Sequence, residues 1–240
     1  MDNSLYYLAV NRQVGLHSEM QTIANNIANM ATNGYRREGM IFTEHVVAIE
    51  GGASVSMADL GGRYASDLHG QVSTTGGQFD MAIEGDGYFL LQSGEETVLT
   101  RAGAFQISPD GFLVTPSGDR VLDPGGAPIP IPPDADAILV GSDGTISSNG
   151  QPVGQLAVVN APFERMSRFG NTAFRVEGGA YEPVDNPKVR QGAIERSNVD
   201  AVVEVARMIE VSRAYEMAQS VVTDEDERVR EAIRTLGSKA

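Results

Sequence analysis

The chain has 240 residues, 41% of them hydrophobic, with no cysteine and a formal net charge of -14. That length can bury one large core or two modest ones, and the missing cysteines exclude disulfides and thiolate metal sites. Residues 38–196 hold nine basic against 21 acidic groups, whereas 1–37 hold three against two and 197–240 six against nine, so nucleic acid and anionic lipid are excluded as partners.

The first predicted element is a helix within residues 1–36. Leu16, Met20, Ile23, Ile27 and Met30 recur at spacings of four and three, with Leu5 and Leu8 upstream. Asn3 or Ser4 can cap its start, and Asn33-Gly34 supplies a left-handed stop. Residues 1–30 lack the basic start and continuous apolar run of a secretory signal, so export without a cleaved leader is expected. No stretch approaches the ~18 apolar residues of a membrane span, and no direct membrane insertion is expected. The helix carries Asn25, Asn26 and Asn29 before Asn33. Asparagine competes for backbone hydrogen bonds and is a poor choice inside a helix, so this run needs a reason.

Residues 37–69, with "EGGASVSMADLGGR", keep no sustained period and are read as an extended linker arm. Residues 70–196 are predicted all-β. "FDMAIEG", "GYFLLQ", "TVLTRAGAFQIS", "GFLVT", "AILVG", "GQLAVVN" and "AFRVE" are short strand-like runs, and Asp86-Gly87, Asp110-Gly111 and Asp143-Gly144 are hairpin-type dipeptides. "PGGAPIPIPPDAD" is too rich in proline for a central strand and must be an edge or connector. A second, longer helix is predicted over 197–240, with Ser197-Asn198 as its cap and Asp200 in its first turn. It carries two apolar stripes where a surface helix needs one. The first runs Val199, Val202, Ala206, Ile209, Met217, Val221, broken by Arg213; the second runs Val205, Met208, Val211, Tyr215, Ala218, Val222 and returns as Val229, Ile233, Leu236. The expected fold class is therefore α+β, an all-β centre flanked by long N- and C-terminal helices that pair side by side.

No catalytic constellation is present. His17, His45 and His69 lie in three unrelated contexts without ligand spacing, and no nucleophile elbow, phosphate loop or dinucleotide fingerprint occurs. Asp80 and Glu84 form the obvious carboxylate pair for a hydrolase, yet an acidic β surface supplies such pairs freely. "SPDG" and "GSDG" are too sparse for calcium. Neither an enzymatic activity nor a cofactor or metal is expected. The rival readings are a cell-wall hydrolase built on that pair and a monomeric secreted binding module.

"IANNIANMATNGYRRE" (23–38) resembles the N-terminal signature of the bacterial flagellar axial proteins, the rod and hook group, and "ERSNVDAVVEVARMIEVSRAYEMAQSVV" (195–222) resembles their C-terminal signature. Between them, "GQVSTTGGQFDMAIEGDGYFLL" and "TRAGAFQISPDGFLVTPSGDRVL" are similar to the core of the basal-body rod proteins. Residues 39–69 and 124–190 match loosely. The modest length and short arm after "GYRRE" look most like a proximal-rod member, since distal-rod members carry a longer insertion there. The resemblance implies a structural subunit that polymerises through terminal helices paired as a coiled coil. These helices would line a tube that transmits torque and carries exported subunits, and the acidic β domain would form the outer layer. Its partners would be other rod subunits and the flagellar type III export apparatus, and its place the periplasmic rod of the basal body. The interface would fall on Ile23, Asn25, Asn26, Ile27, Asn29, Asn33, Gly34 and Tyr35, and on Ser197, Asn198, Val199, Asp200, Val205, Met208, Ile209, Arg213 and Tyr215. Asparagines in such a seam give up stability to fix register and partner number; Asn25, Asn29 and Asn33 would bond across to a neighbour.

Overall fold

Helical periodicity at both ends and short apolar runs between them build an α+β chain with a mostly β centre. The computed structural model describes residues 4–48, 54–133, 135 and 137–237. Two compact units divide it: one comprises Met1–Ala28, Glu38–Ser66 and Asp200–Ala240, the other Asn29–Arg37 and Asp67–Val199. Among the described residues no helix is long and apolar enough to cross a membrane.

The first unit holds helix α1 (Ser4–Ala28), strands β1 (Glu38–Ala48) and β2 (Ser54–Ala65), and helix α2 (Ala201–Gly237). The proposed cap Asn3 lies outside the described residues, as do the side chains of Leu5, Leu8, His45 and Leu236. α1 stops at Ala28, five residues before the predicted Asn33, because the turn begins at Asn29, whose carbonyl accepts the Thr32 amide at 3.1 Å. The segment read as a linker arm is instead a long antiparallel hairpin, paired from Glu38↔Ala65 to Ala48↔Ser54. Its β-branched and aromatic residues suit a strand. The period was hidden by Gly61-Gly62, where the register shifts between Ile41 and Phe42. α2 starts at Ala201, not at Ser197-Asn198, because Asp200 is the cap: its Oδ1 accepts the amides of Val202 at 2.9 Å and Val203 at 3.2 Å.

α1 and α2 lie against each other and run in opposite directions. Gln13 donates to Gln219 at 3.1 Å, the His17 and Tyr215 rings lie 6.4 Å apart, and Glu19 accepts from Arg207 at 2.7 Å. Towards the other end, Asn26 meets Glu204 at 3.1 Å.

The second unit is the β centre. Strands β3 (Val72–Thr74), β4 (Met81–Ile83), β5 (Tyr88–Ser93) and β6 (Glu96–Thr100) open it. β5 and β6 are central in a nine-stranded antiparallel sheet, because "YFLL" is apolar on both faces. Every strand-like run read from the sequence carries a strand. Its core gathers Met81, Phe89, Leu91, Val98, Leu113, Val121, Ile138, Ile146 and Leu156, and the proline-rich connector adds Ile129 and Ile131. Asp110-Gly111 and Asp143-Gly144 close hairpins, between Gln106–Ile107 and Leu113–Val114 and between Ile138–Val140 and Thr145–Ser148. Asp86-Gly87 does not: β4 and β5 do not pair, and β4 pairs with Val189–Gln191 instead. Ala193–Glu195 then pairs with β3, which brings the end of this unit back to its start.

Candidate assembly interface

α2 divides its two apolar stripes unequally. Val211 and Ala218 are buried, with Met208, Tyr215 and Val222 half-buried on the side that meets α1. The other stripe is open: Val202 is 78% exposed, Ile209 50% and Met217 65%, with Val221 also exposed; Val205, which heads the covered stripe, and Val229 and Ile233 near its far end are exposed as well. Arg213, which interrupts this stripe, is exposed as well. Beside it runs a groove of about 650 Å³ floored by Leu16, Val202, Val203, Ala206, Val211 and Ala214, and rimmed by Arg12, Glu19, Arg207 and Glu210. The Arg207 guanidinium is held above its ordinary range by its hydrogen bond to Glu19, against the opposing effect of burial.

The asparagines have different fates. Asn25 is exposed, Asn29 and Asn33 are half-buried, and the Asn29 side chain accepts from Thr32 at 3.1 Å. Asn26 is fully buried. Its amide nitrogen donates to the Glu38 carbonyl at 2.9 Å and to Glu204 at 3.1 Å, and its oxygen accepts the Glu38 amide at 2.9 Å. Of the apolar neighbours, Ile23 is buried and Ile27 half-buried.

The residues after the helix enter the interior of the second unit. Gly34 adopts φ 69°, and its amide donates to the Glu195 carbonyl at 2.8 Å. A Cβ there would lie 2.2 Å from the Ala102 nitrogen, so only glycine fits. Tyr35 is 2% exposed beneath the Arg168 guanidinium, 4.8 Å from the ring centre. Asn198 accepts the Arg37 amide at 2.6 Å and donates to the Leu68 carbonyl at 2.8 Å; Ser197 Oγ accepts the Val199 amide at 3.2 Å. Gly34, Tyr35, Ser197 and Asn198 thus hold their own chain together, while Val205, Ile209 and Arg213 face outward.

A buried ionic cluster, which no motif announced, closes this crossing of segments. Glu195 lies between two arginines, 3.3 Å from Arg36 and 3.1 Å from Arg101, and all three side chains are at most 2% exposed. Its Oε1 also accepts the Gly70 amide at 2.9 Å. Arg36 donates to the Asp67 carbonyl at 3.0 Å and to the Leu68 carbonyl, and its Nη2 lies 3.0 Å from His69 Nδ1. Arg101 donates to the carbonyls of Ile83 and Gly85 and stacks over Tyr88. Burial lowers the Arg101 pKa, opposed mainly by Glu195. Burial also raises the Tyr88 phenol, opposed by Arg36 and Arg101. Sequence could have pointed here only through the resemblance: Arg36 and Glu195 lie inside the two terminal signatures and Arg101 inside the quoted core run.

The carboxylate pair is spoken for. Asp80 accepts from Thr75 at 2.6 Å, and Glu84 pairs with Arg190 at 3.2 Å. Among the described residues no group of three or more His, Asp or Glu side chains is arranged to hold a metal ion.

Two family models match this chain. One, described as the flagellar hook protein FlgE/F/G D1 domain, covers residues 82–148; the other, described as the flagellar basal body rod FlgEFG protein C-terminal, covers 190–235. The flagellar basal-body rod protein FlgF of Mesorhizobium japonicum is 40% identical over 244 residues, spanning 100% of both chains. FlgF of Caulobacter vibrioides is 35% identical over 99% of each chain. FlgG of Bacillus subtilis is 30% identical over 95% of this chain and 97% of its own. These relatives match over nearly the whole chain, and the chain belongs to the flagellar basal-body rod protein family, nearer to these FlgF relatives than to that FlgG.

Proposed function

We propose that the chain is a structural subunit of the flagellar basal-body rod, of the proximal-rod FlgF type, and that its working part is its polymer interface. α1 and α2 pair as a coiled coil and meet the helices of neighbouring rod subunits, both further copies and adjoining proximal- and distal-rod proteins. The subunit leaves the cell through the flagellar type III export apparatus and takes its place in the periplasmic rod. Its role is to carry torque, with no reaction assigned. A distal-rod FlgG-type subunit is the alternative within the family; the short segment 37–69 favours the FlgF type.

The observation that carries this reading is the open stripe of α2: Val202, Ile209, Met217 and Val221, with Val205 beside them, are exposed in the single chain. Fully burying such a side chain contributes about 1.5–3 kcal/mol, so covering the stripe offers a strong drive to associate. A monomeric binding module would have no use for it. Ile209→Asp tests the reading. Because Ile209 faces outward, the monomer should unfold within about 0.5 kcal/mol of wild type. A charge buried between subunits costs several kcal/mol and should abolish rod assembly and motility. Normal rods and normal swimming in that strain would refute it.

A further inference from the structure

We infer that Asn26 is the register-setting residue of the α1–α2 pairing, and that Glu204 is the mark it reads. Apolar contacts between two helices do not fix their alignment. Met208, Val211, Tyr215, Ala218 and Val222 repeat every three or four residues, so sliding α2 by one turn, about 5.4 Å, presents a similar face. The surface pairs are weak guides: Arg207 in the Glu19 pair is 45% exposed, and the Gln13–Gln219 bond is exposed.

Asn26 differs from both. It is fully buried, and so is Glu204, while Glu38 is 8% exposed. Two bonds to the Glu38 backbone fix the carboxamide plane, one given at 2.9 Å and one received at 2.9 Å. That leaves the second amide proton aimed in one direction, and Glu204 Oε2 accepts it at 3.1 Å. A slide of one turn in either direction would withdraw the carboxylate from this donor and leave both groups buried without each other. Losing that bond in a buried setting costs desolvation that a similar apolar face in the slipped register does not repay. The alignment so chosen decides where Val202, Val205 and Ile209 stand along the outer face.

Disulfide mapping in the purified full-length chain tests this without requiring rod assembly, so its outcome is separate from that of the proposed function. The absence of native cysteine makes engineered pairs unambiguous. Gln13→Cys is combined with Gln219→Cys for the native register, and with Glu216→Cys or Thr223→Cys for a slide of about one turn either way. With Asn26 present, the 13–219 pair should oxidise on the order of tenfold faster than the others. With Asn26→Leu, that preference should collapse and one slipped pair should rise to match it. Retention of the native preference in Asn26→Leu would overturn the inference. If Asn26→Leu loses helicity, the decision passes to Glu204→Leu, which removes the acceptor and leaves the Asn26 bonds to the Glu38 backbone in place, and to Glu204→Gln, whose side-chain oxygen can still accept from Asn26. Loss of the 13–219 preference in Glu204→Leu with its retention in Glu204→Gln supports the inference, and an undiminished preference in Glu204→Leu overturns it.

Discussion

Replacing Gly34 with alanine separates the backbone from the packing at the point where the chain enters the β unit. Gly34 sits at φ 69° and Gly76 at φ 75°, so both positions demand the same left-handed conformation. Placing alanine there costs about 1–2 kcal/mol, of which the stiffer unfolded chain returns about 0.4–1 kcal/mol or makes it up in part. A Cβ on Gly76 meets nothing within 4 Å, so Gly76→Ala should lose only about 1 kcal/mol. A Cβ on Gly34 would stand 2.2 Å from the Ala102 nitrogen and 2.5 Å from the Arg101 carbonyl carbon. Those are backbone atoms, and Arg101 is tethered through its side chain to Glu195. The segment must therefore lift away, which adds about 1–3 kcal/mol by the usual cost of overpacking. Urea unfolding of the β signal in the full chain should show Gly34→Ala losing about 2–4 kcal/mol, well beyond the Gly76→Ala control. Equal losses, within about 0.5 kcal/mol, would refute the claim that 29–37 is built into this unit.

Glu195→Ala leaves Arg36 and Arg101 buried without their shared carboxylate and should cost the β unit about 3–5 kcal/mol in urea unfolding. Asp200→Ala should cost α2 about 1 kcal/mol and speed hydrogen exchange at the Val202 and Val203 amides, whereas Ser197→Ala should leave both amides unchanged. Tyr88 predicts an alkaline limit: its folded pKa is raised by burial, so the unfolded phenol ionises first. Its contribution is whole below about pH 10 and is lost as pH climbs above it, and Tyr88→Phe should flatten the fall of the urea midpoint in that range.

Much of the fold was legible because it rests on local signals. Apolar runs such as "GYFLL" and "AILVG" became strands, and the 3.6-residue period of 201–222 became α2. What escaped depends on partners distant in sequence. Ala193–Glu195 is too short to read as a strand, yet it is one because Val72–Thr74 pairs with it. The hairpin over 38–65 was obscured by two glycines in one strand. At the candidate interface, the double stripe of α2 was visible from spacing, but which stripe stays open required α1 to be in place. Spacing points to Asn25, Asn29 and Asn33 as the bonding set, with Asn33 also at the helix stop, and does not single out Asn26. Asn26 alone is fully buried, because only it lies beneath both Glu38 and Glu204. Its place after Asn33 marks Gly34 as a helix stop, and the resemblance marks it as an interface residue; its close approach to Ala102 depends on a segment distant in sequence.

The central claim is that the open stripe of α2 is a contact between subunits. A reconstruction of isolated basal bodies with side-chain density tests it most directly, because it shows what covers Val202, Val205, Ile209 and Met217. The account predicts apolar side chains from the helices of neighbouring rod subunits against all four. A stripe left facing solvent in the assembled rod, with subunits joined elsewhere, would contradict it.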